Sequence, residues 1–79
     1  MLHTSTDLYK AKKNGFFEIT SVPPIDLLKN LGLGIGTQIA ILNRYVMGGP
    51  VLLRVEGAYS LAIGKDIARQ IKVQEVSAS

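Results

Sequence analysis

Cysteine is absent from the 79 residues. No disulfide can reinforce the fold, and neither thiolate metal ligation nor a cysteine nucleophile is available. Small secreted domains commonly depend on cross-links, so the lack of them favours a reducing compartment and a cytoplasmic location. Histidine is reduced to His3. Iron, zinc and copper sites draw on cysteine, histidine and carboxylate. The acids Asp7, Glu18, Asp26, Glu56, Asp66 and Glu75 show no ligand spacing, so no bound metal and no cofactor are expected. The same scarcity weighs against catalysis. A nucleophile needs a base and an orienting group, and no such set can be assembled, so the chain is not expected to be an enzyme. Long hydrophobic runs are also missing. The longest weakly charged stretch, Leu31 to Asn43, includes Gly32, Gly34, Gly36, Thr37 and Gln38 and stops at Arg44, short of the roughly 20 apolar residues of a membrane span. No apolar region follows Met1 to Asp7, so no signal peptide is expected.

Aromatic residues are few, with two phenylalanines and three tyrosines, and basic and aromatic residues do not interleave beyond Tyr9-Lys10. Small barrels can present such residues to single strands. A small basic barrel binding single-stranded nucleic acid is therefore the alternative reading, and nucleic acid is not the expected partner. The glycines form no phosphate loop. Gly32, Gly34 and Gly36 follow a helix and precede a strand, the reverse of a dinucleotide fingerprint. Gly64-Lys65 is followed by Asp66, where a phosphate loop needs serine or threonine.

The formal net charge is +3. Lys10, Lys12 and Lys13 cluster in a polar stretch that reads as a solvated arm, so residues 1–14 are expected to be flexible or loosely packed. Residues 15–76 form the domain, and residues 77–79 fray. Asn14-Gly15 is a turn signal. Phe16 to Val22 reads as a strand with an aromatic or branched residue on both faces, so alternation alone does not choose the inner one. Pro23-Pro24 ends it. Ile25 to Leu31 is a short helix, with Asp26 and Lys29 placed to suit the peptide dipoles and Gly32 as its C-terminal cap. Gly34-Ile35-Gly36 is a turn. Thr37 to Tyr45 alternates, Met47-Gly48-Gly49-Pro50 breaks the chain, and Val51 to Glu56 is the clearest half-buried strand. Gly57-Ala58 turns into Tyr59 to Ile63. Lys65 to Gln70 makes one or two helical turns, and Ile71 to Val76 closes the set. The expected core is Leu28, Leu31, Ile39, Ile41, Val51, Leu53, Val55, Leu61, Ile71 and Val73, with Tyr59 and one phenylalanine also inside. About five short strands at regular spacing point to a mostly β fold, a small curled barrel with two short helices.

Leu31-Gly32-Leu33-Gly34-Ile35-Gly36-Thr37 resembles the L-G-L-x-x-G-T segment of the ferrous iron transport protein A (FeoA) family. Met47-Gly48-Gly49-Pro50-Val51 resembles its G-G-P hairpin, Leu61-Ala62-Ile63 its L-A-L strand, and Ala68 to Val73 its A-x-x-I-x-V ending. Gly64 stands where many members carry arginine. The resemblance covers Phe16 to Val73 and implies an SH3-like β-barrel and a cytosolic accessory protein of ferrous iron uptake. The implied partner is the cytoplasmic region of the membrane ferrous iron transporter (FeoB), with contact to the membrane only through it. Iron is then the pathway served, and metal-ion binding is carried by family association only. Beyond the family, Phe16, Leu42, Val46, Met47 and Leu52 are apolar residues in excess of core needs, which suits a monomer or weak homo-oligomer with a contact surface. That surface is expected to comprise Gly34, Ile35 and Gly36, the hairpin Tyr45, Val46, Met47, Gly48, Gly49 and Pro50, and the basic Arg44 and Arg54.

Overall fold

Strands and short helices follow one another as β1 (Ser5–Asp7), β2 (Phe16–Ser21), α1 (Asp26–Asn30), β3 (Gln38–Arg44), β4 (Val51–Val55), β5 (Ser60–Ile63), α2 (Lys65–Ala68) and β6 (Lys72–Glu75). The structure, a computed structural model, describes residues 5–45 and 47–76. All six strands belong to one antiparallel sheet, in the order β1-β6-β2-β3-β4-β5. Laid flat, six strands would span about 24 Å, far more than two single-turn helices could cover. Instead the buried side chains of β2, β3, β4, β5 and β6 join one cluster with Leu8, Leu28 and Ala68. The sheet is curled around that cluster. Register shifts between Ile19 and Ser21 in β2 and between Ile41 and Asn43 in β3 mark the bulges that bend the strands inward. The result is barrel-like without closure.

Alternation picks the inner face. Ile39, Ile41, Val51, Leu53, Ile71 and Val73 are buried as the sequence indicates, and Leu28 joins them from α1. Val55, Leu61 and Leu31 pack at the margin of the cluster, partly buried. In β2 the inner face is that of Phe17 and Ile19, which leaves Phe16 outside. Helix α1 ends as expected. Gly32 takes φ +79°, its N–H bonds Lys29 O at 3.0 Å, and Leu33 N–H bonds Leu28 O at 2.9 Å. These are the paired bonds of a Schellman cap, which set the buried Leu28 and Leu33 side by side.

Two expectations are corrected. The residues taken as a loose arm are, from Ser5 to Asn14, part of the fold. β1 adds a sixth strand against β6, Leu8 N–H bonds Ile71 O at 2.8 Å, and Leu8 and Ala11 are fully buried. Asp7 supports the turn by accepting from Lys10 N–H at 2.9 Å. Lys10, Lys12 and Lys13 point to water, and this charged run around Ala11 masks the apolar residues of the segment. Residues 1–4 and 77–79 lie outside the described residues. Tyr59, expected inside, is 41% exposed. It precedes β5, where the strand alternation has not begun, and its hydroxyl reaches outward to Gly32.

Candidate functional site

The residues expected to form a contact surface fall into separate places. Tyr45 to Pro50 is the β3–β4 hairpin. Its ends are tied by Tyr45 N–H to Pro50 O at 3.1 Å. At its tip Met47 and Gly48 have φ of +65° and +83°. Successive positive φ values match the twist of a tight hairpin. Glycine adopts this geometry freely, but a methionine there is strained by roughly 1–2 kcal/mol. Gly49 lies against Tyr45, and a Cβ at Gly49 would stand 2.7 Å from the Tyr45 Cβ. Met47 is 97% exposed and Tyr45 is exposed beside it. Val46 lies outside the described residues.

Gly34-Ile35-Gly36 is not a neighbour of this hairpin. β3 separates them, with the loop entering the strand and the hairpin leaving it, about 20 Å apart along its length. Ile35 is 75% exposed. The loop is held by Thr37, whose hydroxyl accepts from Gly34 N–H at 3.1 Å and donates to Gly32 O at 3.3 Å. Gly34 and Thr37 also rim a cavity of about 470 Å³, lined mainly by Val22, Pro23, Ile25, Leu28 and Leu33. Sequence patterning gave no sign of this hollow, because its wall is drawn from a strand end, the proline turn and α1 together.

The two arginines separate as well. Arg44 is half-buried and turned inward, with its Nη1 donating to Tyr9 O at 3.1 Å and Ala11 O at 2.8 Å. Its charge is spent on the backbone of the N-terminal segment, and it leaves the contact surface. Arg54 is exposed on β4, opposite Ala40 and Ser60. It shares a shallow outer hollow with Phe16 and Glu56, so this face carries both signs of charge. Phe16 and Met47 are exposed and Leu42 and Leu52 half-buried, so the apolar surplus does reach the surface. Among the described residues no group of three or more His, Cys, Asp or Glu side chains comes together. His3 lies outside them. No helix among the described residues is long and apolar enough to cross a membrane.

A family profile described as FeoA domain matches residues 6–75. The chain belongs to the FeoA domain family. Its match begins in β1 and ends in β6, so the family unit is the whole curled sheet. Solved FeoA structures repeat the architecture. A crystal structure of an iron uptake regulatory protein (FeoA) superposes with TM-score 0.81 at 24% identity, covering 92% of this chain and 99% of that one. The NMR structure of a FeoA-like protein from Clostridium acetobutylicum gives TM-score 0.80 at 25% identity, covering 100% of this chain and 94% of that one. The SH3-like FeoA fold also forms part of larger proteins. A manganese-dependent transcriptional repressor matches with TM-score 0.83 at 12% identity, with 96% of this chain and 44% of that chain covered. That likeness is one of fold. No curated protein matches the chain in sequence.

Proposed function

We propose that this FeoA-family chain is a non-catalytic, cytoplasmic accessory protein of ferrous iron uptake. It acts by docking on the cytoplasmic part of the membrane ferrous iron transporter, and it reaches the membrane through that partner. The observation that carries the reading is Met47. A large apolar side chain stands almost wholly in water at a hairpin tip, on a backbone conformation that disfavours it. Neither feature helps the isolated fold. Strained conformations persist where a site uses them, and a partner that covered Met47 would gain roughly 1.5–3 kcal/mol from the side chain alone. Methionine adapts to an irregular pocket, while Gly49 packed under Tyr45 fixes the loop's shape. The hairpin is therefore the anchor. Arg54 adds orientation from the adjoining strand, and Arg44 supports the hairpin's base.

The test compares the unaltered protein with Met47→Asp for binding to the transporter's full cytoplasmic portion and to single-stranded RNA. Docking through the hairpin gives transporter binding that the folded variant loses by about tenfold or more, the counterpart of one buried side chain. Unchanged binding by the folded variant removes the hairpin from the interface. Binding to RNA in place of the transporter returns the chain to the nucleic-acid alternative.

A further inference from the structure

The sheet has two edges, and they are treated differently. β1 is three residues long and ends in Asp7. β5 is Ser60-Leu61-Ala62-Ile63. It is short, but it has no charge, no proline and an unbroken register against β4, so it lacks the charge, proline and bulge that commonly blunt an exposed edge.

The outward-facing backbone of β5 can be assigned. Val55 N–H bonds Tyr59 O at 2.7 Å, which makes Val55 and Tyr59 a hydrogen-bonded pair. In an antiparallel ladder such pairs alternate. Leu53 with Leu61 and Val51 with Ile63 are then also hydrogen-bonded, while Arg54 with Ser60 and Leu52 with Ala62 are not. The N–H and C=O groups of Ser60 and Ala62 therefore point away from β4. Both residues are exposed, and no other backbone element among the described residues pairs with them.

We infer that β5 is a self-association edge, and that its occupant is β5 of a second copy of this chain, running antiparallel. The four-residue sequence is complementary to itself in one register. Ser60 of one copy stands opposite Ala62 of the other, so the outward groups exchange hydrogen bonds in both directions. Leu61 meets its own counterpart on the two-fold axis. Leu61 is partly buried against the core, so this contact extends the apolar interior from one copy to the next. Ser60 and Ala62 place only small side chains on the outer face. Within Ser60–Ile63 this register sets no charged side chain against another, and the Ser60–Ala62 contact is made twice by symmetry. An unrelated extended peptide would satisfy the backbone but would not bring a matching Leu61 to the axis. Four residues per copy make a small interface, at the weak end of the range.

The edge is read in the unaltered protein by amide hydrogen exchange and sedimentation between about 10 µM and 1 mM, the range of weak association. The expected result is a dimer that grows with concentration, with protection rising at the Ser60 and Ala62 amides. Protection at Leu61 and Ile63, already bonded to β4, stays level. Ala62→Pro removes an outward N–H that β4 does not use. It should weaken the dimer by at least about tenfold, the loss of a central bond pair in so short a ladder, while Met47→Asp leaves the dimer unchanged. A protein that stays monomeric throughout overturns the inference. So does a dimer whose Ser60 and Ala62 amides exchange at a rate independent of concentration, or one that a folded Ala62→Pro protein retains in full. The exchange measurement decides the matter should that variant not fold. None of these outcomes bears on docking through Met47, which lies elsewhere on the surface.

Discussion

Arg44 donates to two carbonyl oxygens contributed by the N-terminal segment, and it stands next to the hairpin in sequence. A charged donor on neutral carbonyls contributes more than an ordinary hydrogen bond, about 1.5–3 kcal/mol. Arg44→Ala should lower the stability to urea by that order, and the amides of Leu8 and Ala11 should lose protection first. Arg44→Lys should recover only part of the loss, because an ammonium cannot present the planar fork of a guanidinium. Met47 works in the opposite sense. Met47→Gly relieves the positive φ of the tip and should raise stability by about 1 kcal/mol, after the entropy glycine adds to the unfolded chain. The same change should weaken docking. Thermal melts and transporter binding measured on one preparation test whether the two effects move apart, as they do where strain serves a site.

Among the elements, β4 and the N-terminal segment are the informative contrast. Leu53 sits mid-strand and is fully buried, and so is Leu8. Leu53→Ala and Leu8→Ala should each cost about 2–5 kcal/mol in denaturant unfolding. A Leu8 on a loose arm would cost less than about 0.5 kcal/mol. The difference between the two shows what was legible. Val51-Leu52-Leu53-Arg54-Val55 declares its inner face by the arginine set between Leu53 and Val55, and the short helix declares its end through Gly32. Leu8 has no alternating neighbours. It is one apolar residue among polar ones, placed by a turn on Asp7 and by pairing with a strand more than sixty residues later, which no local pattern encodes. β2 was ambiguous for a different reason, since Phe16 and Phe17 offer a ring to each face. The hairpin was legible as a break, and its exposed methionine as surplus. The inward turn of Arg44 was not, because a basic residue on a strand normally seeks water, and only the arrival of the N-terminal carbonyls reverses that. Nor did sequence spacing reveal that the Ile35 loop and the hairpin sit at opposite ends of β3.

For the molecule as a whole, one buried cluster draws on every strand from β2 to β6 and on the N-terminal segment. No part retains a core of its own when another leaves. Unfolding should therefore be a single transition. Tyr9 packs against the cluster from the N-terminal segment and can report on it once the exposed Tyr45 and Tyr59 are changed to phenylalanine. Its fluorescence and the far-ultraviolet circular dichroism of the sheet should then melt together, and earlier release of the Tyr9 signal would detach that segment from the cooperative unit. The pairing of β1 with β6 has a mechanical counterpart. Because Ser5 stands opposite Gln74, the first and last strands begin and finish side by side. A tension drawing the two ends apart pulls across the ladder and opens its rungs one after another, as a zipper does. The β3–β4 hairpin leaves the strands at the same end as the start of β1 and the finish of β6, because β3 and β6 both run antiparallel to β2. As a tether the domain is weak between its ends.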